Sequence, residues 1–287
     1  MSTFSIKLDK KKINDLKQAF KEYITSNPNE YIDTFIRKDD LTISIYKSEK
    51  VVFQGNDAFF YASAYLDEKK SRQAGSDEVG TGDYFGPVVV VSAIIEEEDY
   101  PFIEENGITD SKKMTDEKVL QLGKQLMQRF KHSLLILDNC KYNKVHETNN
   151  LNAIKAKLHN QAYINLLKKG YQIPKAAYVD QFAKEDSYYR YLANEKEVYH
   201  DLIFETKAEA KYPAVAVASV IARYAFLTCM HNLEDQYQLR FHKGAGDDTN
   251  ADAIAFINKY GKDKLGNVAK LHFKNTEVIL NSILEKH

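Results

Sequence analysis

Cysteine is scarce: the 287 residues contain two, Cys140 and Cys229. That excludes a disulfide framework, and their wide separation fits no zinc-finger spacing. A reduced, cytoplasmic protein is the simple expectation. No apolar run approaches the roughly 20 residues that span a bilayer. No long apolar segment follows a basic start at Met1–Asp9, so neither a membrane partner nor a secretory signal is expected. A dominant charge is missing too. Lys and Arg number 40 against 41 Asp and Glu, a formal net charge of -1. This balance neither supports nor excludes nucleic acid, because local potential steers a partner. There is no internal repeat and no low-complexity segment.

What is present is an ordinary globular composition, with 44% hydrophobic residues. The length suits one large domain, or one medium and one small. Residues 1–68 read as a small α+β unit. Phe4, Ile6 and Leu8 alternate as in a half-buried strand, and Ile13, Leu16, Phe20, Tyr23 and Ile24 recur at helical spacing. Leu41, Ile43 and Ile45 alternate with Thr42, Ser44 and Tyr46, giving a strand with one apolar and one polar face. Val51–Phe53 form another strand, and Gly55-Asn56-Asp57 opens a helix over 58–66. Helices on one sheet face leave the other open to water, which makes the unit either a binding platform or a structural or dimerisation domain. The charged run 67–72, DEKKSR, reads as a linker. Residues 69–287 form the larger domain.

That domain is organised around residues 73–95, QAGSDEVGTGDYFGPVVVVSAII. Asp77 and Glu78 adjoin Gly80, Gly82 and Gly86, and a β-branched run reads as a strand buried on both faces. Neighbouring carboxylates repel unless a cation sits between them, and Mg²⁺ or Mn²⁺ takes such oxygen ligands. Most Asp-Glu pairs are solvated surface, so the pair alone decides nothing. GTGDYFG matches neither GxGxxG nor GxxxxGK[ST], and a strand follows it rather than a helix, which disfavours a phosphate cradle.

Further elements follow in order. Thr115 caps a helix running to Phe130, and 134–137 is a short strand. Asn150 precedes a helix over 151–169 that Gly170 stops. A strand over 176–179 ends at Asp180, and 202–204 is another strand. Glu209 stands just before an alanine-rich helix over 213–233. Helices over 251–260 and 278–284 close the chain. Carboxylates at the ends of separate elements can converge at one sheet edge, and four acids there would hold two divalent ions.

The run GSDEVGTGDYFGPVVVVSA, then ITDSKK, YVDQF, TKAEA, VAVASVIARYAF and FHKGAG, resembles the prokaryotic type 2 family of ribonucleases H. Within it the chain is most similar to the HIII branch, over essentially everything from residue 70 onward. The resemblance implies an α/β ribonuclease H-like fold, a mixed sheet flanked by helices. The N-terminal unit is similar to the TATA-binding-protein-like domain of HIII enzymes, which grips an RNA–DNA hybrid. The implied activity is endonucleolytic cleavage of the RNA strand of that hybrid with Mg²⁺ or Mn²⁺, leaving 5′-phosphate and 3′-hydroxyl ends, by a monomer.

Asp77, Glu78 and Asp180 fall on the family's first three metal-binding acids. Glu209 falls on the fourth, with Glu205 its nearby competitor. Thr81 stands where HII enzymes have Arg, so 2′-hydroxyl contacts by Gly80, Thr81 and Gly82 remain plausible while efficient cutting at a single embedded ribonucleotide is in doubt. Ser111, Lys112, Ser219, Arg223 and Lys243 are candidate substrate contacts. Each has a plainer reading as a solvated or structural side chain, as do His242 and His272. Incision at single ribonucleotides and a non-catalytic hybrid-binding protein are the alternative functions.

Overall fold

The computed structural model describes residues 2–55, 58–63 and 71–284. The chain divides into two compact units, Met1–Ser71 and Arg72–His287. Most of the expected linker, residues 67–70, lies outside the described residues, as do Asn56, Asp57 and the expected helical residues 64–66.

The first unit runs β1 (Ser2–Lys7), α1 (Lys10–Ala19), β2 (Ile24–Thr25), β3 (Ile32–Lys38), β4 (Leu41–Tyr46), β5 (Lys50–Gly55) and α2 (Ala58–Ser63). Its strands form an antiparallel sheet in the order β1-β5-β4-β3-β2. Asp9 caps α1 by accepting the Lys12 N–H at 2.9 Å. Ile13 and Leu16 of α1 join Ile36, Ile43, Ile45, Val51 and Phe53 of the sheet in one core. Two expectations need correcting. The helix ends at Ala19, and Ile24, itself exposed, lies in a short strand opposite the buried Ile36. Nor is the polar face of β4 uniformly wet. Ser44 sits between Phe35 and Val52 in register and is only 6% exposed.

The second unit opens with β6 (Gln73–Val79) and β7 (Val88–Ile95). Then come α3 (Tyr100–Glu105), α4 (Asp116–Arg129), β8 (Lys131–Leu137), α5 (Asn139–His146) and α6 (Leu151–Lys168). Next are β9 (Ala177–Asp180), α7 (Glu185–Tyr191), β10 (Ile203–Glu205), α8 (Ala208–Lys211), α9 (Pro213–Tyr237), α10 (Asp247–Tyr260) and α11 (Lys274–Leu284). The sheet order is β10-β9-β6-β7-β8. β7 is antiparallel to both of its neighbours, β6 and β8, whereas β9 and β10 run parallel to β6.

Helices cover both faces, so Val88–Val91 of β7 are fully buried. On one face lies α9, whose small residues let it approach closely. A Cβ on Gly75 would stand 2.4 Å from the Val215 backbone nitrogen. On the other face α6 packs against β7 and β8, with Ala156, Ala162 and Tyr163 fully buried. Asn150 caps α6, accepting the Ala153 N–H at 2.9 Å. By length and composition α9 is apolar enough to cross a bilayer, contrary to the sequence reading. Yet 72% of its apolar window is buried within the protein, as in the core helix of a globular fold. Helices α10 and α11 each begin about four residues earlier than expected. Their first turns are polar, and Asp247 and Asp248 suit the positive end of the α10 dipole, so apolar periodicity does not reveal them.

Candidate active site

Strand alternation sends adjacent residues to opposite faces of a sheet. Asp77 and Glu78, near the end of β6, obey it. Asp77 receives a hydrogen bond from the Ser219 side chain of α9. Glu78 is held from α6 by the Lys155 ammonium and by His159 Nε2 at 2.8 Å. The parallel neighbour β9 carries Asp180 at its tip, and in the β10 register Glu205 lies beside Asp180. The Asp180 carboxylate accepts the Ala208 N–H at 3.0 Å, which ties β9 to α8, where Glu209 sits in the first turn.

Charge effects link several of these acids. Burial, then the Glu78 charge and, less, that of Glu209, push the Asp77 carboxyl up to about 8. Backbone and Ser219 hydrogen bonds oppose this only partly. Burial also opposes ionisation of Glu78, but His159 and Lys155 outweigh it and hold that carboxyl below its usual range. Lys112 is ion-paired with Glu209, which raises its ammonium above the ordinary lysine value, with further attraction from Asp180 and Asp77. Three of the acids, Glu209, Asp180 and Asp77, therefore act on one positively charged side chain, while Glu78 is held by Lys155 and His159. Glu205 turns to Lys211 instead, 2.9 Å away. Among the described residues, no group of three or more His, Cys, Asp or Glu side chains is arranged to hold a metal ion as the chain stands. The donor set is nonetheless right for a hard dication: carboxylate oxygens with a surplus of negative charge, balanced here by lysine ammoniums.

Other predicted contacts fall nearby. Gly80 follows β6 with φ of +95°, and a Cβ there would lie 2.1 Å from the Pro87 carbonyl oxygen. A Cβ on Gly82 would meet nothing within 4 Å, so its side is open to a ligand. Ser111 and Lys112 lie on a 3-10 turn, Ile108–Lys113, and Ser111 is 7% exposed. Arg223 bonds Asp116 through Nε at 3.0 Å and the Met114 carbonyl at 2.8 Å, with a longer bond to the Ser111 carbonyl. Lys243 pairs with the same Asp116. Arg223 thus braces the turn that presents Lys112. His242 bonds Asp252 at 2.8 Å, and the His272 ring stacks on His146 with centroids 4.1 Å apart.

Three residues were not singled out from the sequence: Lys155, His159 and Lys270. A Lys and a His four apart beside the apolar stripe of a buried helix were the available signal for the first two. Lys270 is fully buried, and its ammonium donates to the carbonyls of Asp83 at 2.7 Å and Gly86 at 2.6 Å. It pins the loop after β6 from beneath.

A mixed five-stranded sheet, covered by a small-residue helix and carrying acids at the ends of two parallel strands, defines a nuclease of the ribonuclease H class. The sequence agrees with the geometry. The family model for ribonuclease HII matches residues 74–276, and a domain of unknown function (DUF3378) matches residues 3–78. Ribonuclease HIII of Streptococcus mutans is 39% identical, with 96% of this chain and 97% of that protein covered. The crystal structure of Bst-RNase HIII in complex with Mn²⁺ superposes with a TM-score of 0.75 at 32% identity, covering 100% of both chains. Ribonuclease H2 from Pyrococcus horikoshii OT3 shares the fold, with a TM-score of 0.61 at 23% identity, over 75% of this chain and 99% of its own. The chain belongs to the ribonuclease HIII family, and it is an endoribonuclease.

Proposed function

We propose that this endoribonuclease cuts the RNA strand of RNA–DNA hybrids, leaving 5′-phosphate and 3′-hydroxyl ends. Asp77, Glu78, Asp180 and Glu209 would hold Mg²⁺ or Mn²⁺, and the Mn²⁺ complex of Bst-RNase HIII supports that choice. The observation that carries the reading is the charge surplus: the Asp77 carboxyl is pushed up to about 8 while the Lys112 ammonium faces Glu209, Asp180 and Asp77. When bound, a pair of divalent ions supplies an activated water and neutralises the leaving oxygen.

The chain's own groups do the rest. Ser219 orients Asp77, and the Asp180 hydrogen bond to Ala208 fixes where Glu209 starts. Lys112, largely exposed, is free to exchange Glu209 for a backbone phosphate. The open side of Gly82, with Gly80 and Thr81, admits a ribose, whose 2′-hydroxyl distinguishes RNA from DNA. Arg223 and Lys243 neutralise Asp116 and support the Ser111–Lys112 turn. With Thr81 rather than a long cation in the loop, single embedded ribonucleotides are poor substrates. The N-terminal unit adds affinity for the hybrid, with Thr42 and Tyr46 on its partly exposed sheet face. The enzyme works as a monomer in the cytoplasm.

The test is cleavage of a uniformly labelled RNA–DNA hybrid with Mg²⁺, Mn²⁺ or EDTA, beside a duplex carrying one ribonucleotide. Metal-dependent cutting confined to the RNA of the hybrid is expected. Preferred cutting at the single ribonucleotide would instead favour incision of the HII kind, and metal-independent cutting would remove the acids from the mechanism.

A further inference from the structure

Both oxygens of Glu78 are already engaged. Oε1 is paired with the Lys155 ammonium, and Oε2 lies 2.8 Å from His159 Nε2. The two donors are four residues apart on α6, one turn above the other on the same face. His159 is itself fixed. It is fully buried, and its Nδ1 lies 2.7 Å from the Ser76 hydroxyl. Ser76 precedes Glu78 by two residues on β6, so hydroxyl, imidazole and carboxylate close a ring on one face of the strand. The Lys155 ammonium sits 4.1 Å from the centroid of the Phe182 ring, and the His159 ring is 5.5 Å from the same ring. Phe182 in turn donates its backbone N–H to the Asp180 carbonyl at 2.9 Å. One aromatic ring therefore seats the donors of Glu78 and borders the strand end that carries Asp180.

Stability alone does not account for this arrangement. Buried ion pairs are often replaceable by apolar residues at no loss of stability, because desolvation offsets their attraction. What the pair uniquely supplies is direction. Two donors, one on each oxygen, leave the carboxylate no freedom to rotate.

We infer that Lys155 and His159 are positioning residues that set the direction of the Glu78 carboxylate for metal binding and cleavage. The inference rests on the reading of Glu78 as a metal ligand. Residues behind a ligand commonly matter about 10–100-fold in metal affinity or activity.

The experiment uses the full-length protein and four variants: His159→Ala, His159→Gln, Lys155→Met and Lys155→Arg. Gln can place an N–H near the former Nε2, and Arg keeps a cation. Three quantities are read: the heat of Mn²⁺ titration without substrate, kcat and KM on a labelled hybrid, and melting in EDTA. For His159→Ala we expect kcat to fall about 10-fold or more with KM nearly unchanged, and Mn²⁺ binding to weaken by a similar factor. Lys155→Met lowers kcat in the same way. His159→Gln and Lys155→Arg recover most of the loss, and these mild changes keep the test open if a truncated variant melts too early. The inference is overturned if the Ala and Met variants bind Mn²⁺ and turn over as the parent does, or if Gln and Arg do no better than Ala and Met. A parent that shows neither Mn²⁺ heat nor metal-dependent cleavage overturns the reading of the acids instead.

Discussion

Oδ1 of Asp180 accepts the backbone N–H of Ala208 at 3.0 Å. This bond joins a strand end to the turn of Lys207, whose φ is +55°, and so fixes where Glu209 enters the site. Its two roles separate on substitution. Asp180→Asn keeps an oxygen that accepts the N–H and loses only the charge. Asp180→Ala loses both. Each variant is expected to lower cleavage by more than about 100-fold, beyond the range for residues behind a ligand. Only the Ala variant should also melt earlier, by the equivalent of about 1–2 kcal/mol for the unpaired N–H. Hybrid cleavage beside thermal melting in EDTA checks both.

Asp77 makes the metal-free protein pH-sensitive. Burial and the Glu78 charge push its carboxyl up to about 8 in the folded state, well above the usual carboxylate range. Between roughly pH 4 and 8 the folded state holds a proton that the unfolded state has released, so stability falls as pH rises through this window. The loss is complete above about 8. In EDTA, Asp77→Asn should flatten the melting temperature between pH 5 and 8 and exceed the parent at pH 8. A parent profile as flat as that of the variant would remove the raised carboxyl from the account. Ligands bind metal deprotonated, so Mn²⁺ affinity of the parent should weaken as pH drops below 8.

Arg223 braces the Lys112 turn with a planar fork, bonding Asp116 and the Met114 carbonyl together. Arg223→Lys supplies one compact ammonium, which does not reproduce that fork. Lys is therefore expected to fall well short of Arg, and Arg223→Met further still, at a cost of about 1.5–3 kcal/mol for hydrogen bonds involving charged groups. Urea unfolding measures the cost. The KM for the hybrid should rise in both variants as the turn loosens. A Lys variant equal to the parent in both readouts would sink the bracing role.

Gly80 and Gly82 share a loop but differ in what surrounds them. Gly80→Ala meets both a positive φ and the Pro87 carbonyl, so it should destabilise by about 1–3 kcal/mol. Gly82→Ala has open space, so its stability should stay within about 0.5 kcal/mol of the parent. If a ribose approaches that open side, Gly82→Ala raises the KM for the hybrid without moving the melt. An unchanged KM would place the substrate elsewhere.

The sequence by itself determined much of the frame. The Asp77-Glu78 pair beside the glycines of the turn stood out at once, because both signals are local. The β-branched run of β7 announced a strand buried on both faces, and Asn150 and Gly170 marked the ends of α6, each through its own backbone preference. The order of short motifs pointed to the family. Alternation was less legible in β3, where Thr34 takes an inward position and is 9% exposed. Short polar helices such as α5 and α7 have too few apolar repeats to register.

Only the tertiary structure decided who meets whom. Lys155 and His159 stand about 80 positions from Glu78, and nothing local links them. Sequence spacing left Glu205 and Glu209 as rivals for the fourth acid. The fold turns Glu205 to Lys211 and brings Glu209 to Lys112, within reach of the Asp77 charge. Arg223 and Lys243 were candidate substrate contacts from the sequence, with pairing to an acid the plainer reading of Arg223, and in the fold both close on Asp116. Charge and burial depend on neighbours supplied by distant segments, so a chain read in order reveals the acids before it reveals what each is paired with.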